Sequence, residues 1–221
     1  MRPPPRAHAA VHWLWRVLVV LSVAPVIAQP GVDLTAGVTL FERGQTAAAQ
    51  QFFETFVNEY PTDPAGPYYL GRLAFEDQRS EQAIAWLEKA VQLDGGNSEY
   101  HLWLGRAYGQ QAQQAGGEAF FLARKVKMHL ERAVELNPDN IAARFDLIEY
   151  YLRAPLLVGG DPAKATAQAA EIAKRDAVAG REAWRRCAQE ARATPPDQPT
   201  GLRRPHASRS CPGCPWKRST Q

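Results

Sequence analysis

The sequence runs to 221 residues, with 26 basic and 23 acidic side chains and a formal net charge of +3. Arg2, Arg6 and Arg16 account for that whole excess; residues 29–180 carry 14 basic and 20 acidic side chains, and residues 181–221 carry nine and three. The acidic middle is a poor general binder of nucleic acid, and beyond the first 28 residues no stretch is long and apolar enough to cross a membrane.

Residues 1–28 read as a secretory signal. The three arginines precede the run Val17 to Val23, apolar apart from Ser22; Pro25 breaks it, and Val26-Ile27-Ala28 offers small residues for cleavage. From Val17 to Ala28 there are 12 residues, against the roughly 20 that a membrane-spanning helix needs. No cysteine follows that run to carry a lipid. The expectation is an exported protein, periplasmic or secreted from a bacterium, with no stable membrane insertion once the signal is removed.

The next part of the chain repeats itself. Tyr69-Leu70-Gly71-Arg72-Leu73-Ala74 returns as Trp103-Leu104-Gly105-Arg106-Ala107-Tyr108; Gly71 and Gly105 lie 34 residues apart, Gly37 lies 34 before Gly71, and Ala49 lies 34 before Ala83. Glycine inside a helix costs roughly 1 kcal/mol against alanine, so its return at a fixed period points to helices that cross closely. The other half of each contact comes from Ala49 and Phe53, then from Ala83, Leu87 and Ala90. Pro61 and Pro138 end helices at unit boundaries. These marks place units at about 30–63, 64–97, 98–140 and 141–179. Unit three is nine residues longer than the period, an excess placed around Gln110–Gly117 as a lengthened turn, and unit four holds Ala154–Pro162, where Pro155 stops one helix and Asp161-Pro162 caps the next.

In unit three, His101, Leu104, Gly105 and Tyr108 stand at the spacing Trp-x-x-Leu-Gly-x-x-Tyr, with His in the Trp place. At these positions, and in its period of 34, the chain resembles the tetratricopeptide repeat family, and a bacterial exported member of it. The resemblance implies an all-α fold over 29–180: a right-handed superhelical solenoid of four antiparallel helix pairs, whose first helices line a concave groove. In the family, positions just after the Trp place, just after the glycine and about three further on face that groove. Carried over, they are Leu34, Val38 and Phe41, then Tyr68, Arg72 and Phe75, then Leu102, Arg106 and Gly109, and finally Phe145, Glu149 and Leu152. Tyr68, Arg72, Phe75, Arg106, Phe145 and Glu149 form the expected peptide-binding set. Arg72 and Arg106 would offer charge-assisted hydrogen bonds to carboxylates beside Tyr68 and Phe75; the alternative is that both pair with local acids such as Glu76 and Glu99. Some family members clamp a chain end with a Lys-Asn-Asn-Lys-Arg set, and arginine at 72 and 106, where asparagine is expected, departs from it.

Past Gly180 the periodicity is lost. Ala183–Ala193 can continue as a helix, so 181–193 is a candidate cap for the stack. Residues 194–221 contain six prolines and almost no aliphatic side chains, and disorder is expected there; a frameshift or misplaced stop in place of further repeats would leave the same trace. Cys211-x-x-Cys214 lacks the strand-helix context of a redox pair, and with His206 and Cys187 it matches no common zinc spacing. His101 occupies a packing position, and His129 is expected to face solvent. No nucleophile, base or paired-carboxylate arrangement follows from spacing, so no enzyme activity, cofactor or metal is expected. The functional expectation is a non-catalytic scaffold binding a peptide or protein segment in the groove. The rivals are an accessory subunit of an envelope or transport assembly, docking through its convex face or the insertions (Pro155-Leu156-Leu157-Val158 being the apolar one), and a metal or thiol function in the tail.

Overall fold

The computed structural model describes residues 33–193; the expected signal segment and the tail, with His206, Cys211 and Cys214, lie outside the described residues. Among the described residues there are nine α-helices and no strand: α1 Leu34–Glu42, α2 Thr46–Glu59, α3 Ala65–Glu76, α4 Ser80–Leu93, α5 Ser98–Gln114, α6 Ala119–Leu136, α7 Ile141–Arg153, α8 Pro162–Arg175 and α9 Ala177–Ala193, with a 3-10 turn at Leu156–Val158. Every helix packs on its successor, α3 also reaches α5, and α7 reaches α9. The result is an all-α solenoid of antiparallel helix pairs, in which α9 lies against the last pair.

Short polar side chains set the helix starts. Asp33, Asn97, Asn140 and Asp161 each accept a backbone N–H from the first turn of α1, α5, α7 and α8, and Asp176 does so for α9; such caps contribute about 0.5–2 kcal/mol each. Pro162 follows Asp161 at the first turn of α8, where its missing N–H has no partner to lose. The turn after α1 places Gly44 at φ 67°, and 34 residues on, after α3, Gln78 takes the same left-handed conformation at φ 61°.

Two insertions depart from the periodic plan. The residues assigned to a turn at Gln110–Gly117 are largely helix: α5 runs 17 residues and α6 runs 18, against 12 and 14 for α3 and α4. Gln and Ala are good helix formers, and nothing breaks the run until Gly116. The second insertion does leave the helix after Arg153, at Pro155. It is held by the Tyr150 hydroxyl, which donates to the Val158 carbonyl at 2.7 Å, and Gly159 turns it at φ 97°. Of its apolar side chains Val158 is buried, but Leu156 is 61% and Leu157 87% exposed.

The repeated glycines are sockets. A Cβ on Gly37 would lie 2.3 Å from Phe52, on Gly71 2.5 Å from Leu87, and on Gly105 3.0 Å from Leu130. Each second helix thus presses a large side chain onto the backbone of its own first helix. Unit four reverses the shapes: Ile148, seven residues into α7 as Gly105 is into α5, is fully buried, and α8 presents the fully buried Ala165 and Ala169. The core forms two clusters, a smaller one around Ala49, Phe53, Val57, Leu70 and Leu73, and a larger one from α3 to α9; Tyr69 packs against both. At the far end Ala183 and Cys187 face inward, while Arg181, Arg185 and Gln189 face outward, so α9 gives the stack the polar outer surface its last helix needs. Burial pushes the Cys187 thiol above its ordinary pKa.

Polar side chains couple neighbouring repeats. The Tyr108 hydroxyl donates to Glu88, and the Tyr151 hydroxyl donates to Glu131 at 2.8 Å, the same first-helix to preceding second-helix bond one repeat apart. Burial, then the carboxylate, raises both phenols above their ordinary pKa. His129 does not face solvent: its ring stacks on Tyr108, and its Nδ1 lies 3.0 Å from Nδ1 of His101. His101 Nε2 faces the Gly95 carbonyl at 3.3 Å, so it carries the proton; His101 Nδ1 is then the acceptor, and His129 Nδ1–H donates to it. In this arrangement His101 is neutral, since a proton on its Nδ1 would face the Nδ1–H of His129. Burial, then the neighbouring His101, lowers His129 to about 4, and burial lowers His101 too.

Two outcomes follow for stability. Gly71→Val should cost about 2 kcal/mol or more in urea denaturation, through overpacking against Leu87, whereas Gly116→Ala, with open space around it, should change stability by less than about 0.5 kcal/mol. The histidines, being less basic when folded, leave the unfolded chain binding more protons below its pKa of about 6.5. The melting temperature should therefore fall as pH drops from about 6.5 toward 4, and His129→Gln should flatten that slope.

Candidate functional site: a cleft along the first helices

Four first helices contribute one connected row of side chains. The Arg72 guanidinium of α3 lies 4.4 Å from the Phe41 ring centre of α1 and 4.4 Å from that of Trp103 on α5. Arg106, one turn beyond Trp103 on α5, lies 4.6 Å from the same indole. Its Nε meets Asp146 of α7 at 2.5 Å. Planar guanidinium groups stack well on aromatic faces, so the row Phe41, Arg72, Trp103, Arg106, Asp146 stitches four repeats together. The period put both arginines on equivalent turns of neighbouring helices, and there they are. Their partners, however, are neither Glu76 nor Glu99: Arg72 is enclosed by rings, and Arg106 is neutralised by Asp146 from the next unit. Glu99 instead accepts from Asn140 at 2.9 Å.

Beside this row opens a cleft of about 1060 Å³ between α3, α5, α6, α7 and the loop after α7. Of the expected set, Phe75, Arg106 and Glu149 line it. Tyr68 does not, being 9% exposed and packed against Tyr69 and Tyr100; nor does Arg72, whose Nη1 reaches the Tyr68 hydroxyl at 3.4 Å. Phe145 lies under Arg186 of α9, 4.8 Å from ring centre to guanidinium, away from the cleft. Of the wider carried-over positions, Gly109 lines the cleft, while Leu102 is 1% exposed in the core.

Several lining residues escaped the sequence reading as site residues, Trp103, Gln110, Phe120 and Asp146, while Leu157 comes from the insertion read as a docking surface. Phe120 carried a signal, as half of an aromatic pair just after Gly116-Gly117 that no heptad or repeat position required; it is 41% exposed and its neighbour Phe121 68%. The floor is made of small residues on facing helices, Gly105, Gly109 and Ala112 on α5 and Ala119 and Ala123 on α6. The lining charges close in pairs: Arg106 with Asp146 at 2.5 Å and Arg153 with Glu149 at 2.7 Å. Gln110 is 8% exposed; its Nε2 donates to the Phe75 carbonyl at 3.1 Å, and its Oε1 is buried with no partner. An apolar trough with neutral amide groups can hold a polypeptide segment. Among the described residues no three His, Cys, Asp or Glu side chains converge as a metal site.

Residues 40–107 match the tetratricopeptide repeat family. The fold is similar to that of a thermophilic tetratricopeptide protein from Thermus thermophilus, with TM-score 0.57 and 23% identity over 72% of this chain and 84% of that one. It is also similar to part of an O-GlcNAc transferase mutant from Thermobaculum terrenum, with TM-score 0.54 and 24% identity over 64% of this chain and 25% of that one. The chain thus spans about a quarter of the transferase, and at these identities the likeness is one of fold. Comparison with curated proteins finds no match. Over residues 40–107 the chain is thus similar to the tetratricopeptide repeat family, and its glycine-socketed helix pairs fit that likeness.

Proposed function

We propose that the protein is a non-catalytic scaffold that binds a segment of another protein in the cleft along α3, α5 and α7. The observation that carries this reading is the cleft itself. Its volume of about 1060 Å³ lies just above the roughly 300–1,000 Å³ of ligand pockets, and it holds Phe75, Trp103 and Phe120 as aromatic anchors of the kind that dominate binding energy. The family supports a role in protein binding in general; the choice of this cleft is our own reading.

A second reading rests on a different surface. Phe121, Met128, Leu156 and Leu157 are 68%, 55%, 61% and 87% exposed, and exposed apolar side chains of this size mark docking surfaces. An accessory subunit would use them to lean on a larger assembly, with the cleft unoccupied. We further propose, from Arg2, Arg6, Arg16 and the apolar run that follows, that the scaffold works outside the cytoplasm.

Selection of displayed random peptides of roughly ten residues, about 33 Å when extended, on the full chain tests the first reading. Enriched peptides should lose at least about tenfold in affinity, about 1.4 kcal/mol, on Trp103→Ala and on Phe120→Glu, and should be indifferent to Phe121→Glu and Leu156→Glu. The reverse pattern supports the accessory subunit, and absence of enrichment removes the cleft from consideration. For export, N-terminal sequencing of the protein recovered from outside the cytoplasm should begin near residue 29; an intact Met1 would exclude the cleaved signal.

A further inference from the structure

We infer that α6 and the loop after α7 form a docking surface for an anionic phospholipid membrane, on which the chain lies without spanning it. The inference rests on the second reading, that this surface docks on something larger, and puts a lipid surface in place of the protein assembly. It is independent of what the cleft holds.

The apolar part of the surface is gathered in one place. Among the described residues seven large apolar side chains are exposed; Leu93 and Val178 stand apart, whereas Phe120, Phe121, Met128, Leu156 and Leu157 come from α6 and the 3-10 turn that touches it. A Cβ on Gly159 of that loop would lie 2.8 Å from Nζ of Lys127 on α6, and Phe120 and Leu157 border the same cleft. The frame is held: Phe120 and Phe121 meet edge to face with ring centres 5.6 Å apart, and the Tyr150 hydroxyl fixes the turn that carries the two leucines.

Charge supplies the second observation. From Ala119 to Leu130, α6 carries Arg124, Lys125 and Lys127 and no acid, and Pro155–Gly160 carries no charge, within a stretch, 29–180, that has 14 basic and 20 acidic side chains. Phe121, Arg124, Lys125 and Met128 are all exposed, and their spacing of i, i+3, i+4 and i+7 puts them on one ridge. Arg124 makes no ion pair among the described residues, and Lys127 comes no nearer than 3.8 Å to Glu131. The acids further along the helix are taken, Glu131 by the Tyr151 hydroxyl and Glu135 by Arg132; Glu118 stands just before it.

The order of these side chains favours lipid over protein. Protein interfaces gather apolar side chains at a centre depleted of charge and keep the charge for the rim. Here the cations stand between the apolar side chains of the ridge. At a membrane surface rings and aliphatic groups enter the headgroup layer, while arginine and lysine stems lie alongside them and carry their charges back to the phosphates. A repeat region that is acidic as a whole is drawn to a negative surface only through such a basic face, so charge also fixes which face is presented.

Flotation of the full chain with vesicles of phosphatidylcholine, alone or with about a third phosphatidylglycerol, tests this. The chain should bind the anionic vesicles at least about tenfold more tightly than the neutral ones, and less tightly in about 0.5 M than in about 0.1 M salt. Residues 1–28 and 181–221 are themselves basic, so the variants decide. Phe121→Glu with Leu157→Glu should lower the affinity at least about tenfold, Arg124→Glu should reduce the preference for anionic over neutral vesicles, and Val178→Glu should change neither. All four positions are exposed, and their melting by circular dichroism should match that of the unaltered chain. Absence of binding, equal binding to neutral vesicles, or patch variants that bind like the unaltered chain overturns the inference. If vesicles are ignored but the patch variants abolish self-association in sedimentation, or release a protein that copurifies with the unaltered chain, the surface docks on protein: the inference fails and the second reading stands. If the variants change none of these, both fall.

Discussion

The interlock between a glycine on one helix and a large side chain on the next is the contact on which the architecture depends. At Gly37, Gly71 and Gly105 a Cβ would fall within 2.3, 2.5 and 3.0 Å of Phe52, Leu87 and Leu130, distances at which a side chain must move or the helices must part. Close crossing is what lets each pair bury a continuous apolar face, and stacking of pairs is what covers the faces that remain. Unit four reaches the same end by the opposite route, a bulky Ile148 on the first helix and alanines on the second. The constraint is therefore on summed volume at the crossing, not on which helix supplies it.

That crossing fixes the first helices in a row, and the row explains the charge chemistry of the site. Once α1, α3, α5 and α7 are held side by side, Arg72 is enclosed between Phe41 and Trp103, and Arg106 lies within reach of Asp146. Both arginines are committed to holding repeats together. Arg106 is paired through its Nε with Asp146, and the cleft beside the two arginines is lined mainly by apolar side chains.

The insertions supply what a strictly periodic stack would lack. Lengthening α5 and α6 beyond α3 and α4 carries Gln110, Ala112, Ala119 and Phe120 past the ordinary end of a repeat, and the loop after α7, pinned by Tyr150, brings Pro155 and Leu157 to face them. The cleft lies where the period is broken. The same elements hold the exposed apolar side chains, Phe121, Met128 and Leu156, so the two departures from periodicity concentrate the surface that distinguishes this chain from a bare repeat array.

The sequence by itself determined the helix pairs, the glycine sockets, the Asp161-Pro162 helix start and the placing of Arg72 and Arg106 on equivalent turns, because each is local or repeats at a fixed separation. Of the expected binding set, Phe75, Arg106 and Glu149 line the cleft, whereas Tyr68, Arg72 and Phe145 lie where rings pack or are covered. What only the tertiary structure decided is which neighbour each side chain meets. Trp103 between two arginines, Asp146 forty residues from Arg106, His129 against His101 and the unpartnered oxygen of Gln110 all join elements whose spacing the irregular insertions had uncoupled from the period. A repeat predicts contacts one period away; where the chain adds residues, the partner of a side chain is set by how the lengthened helices stack, and that is a property of packing in three dimensions.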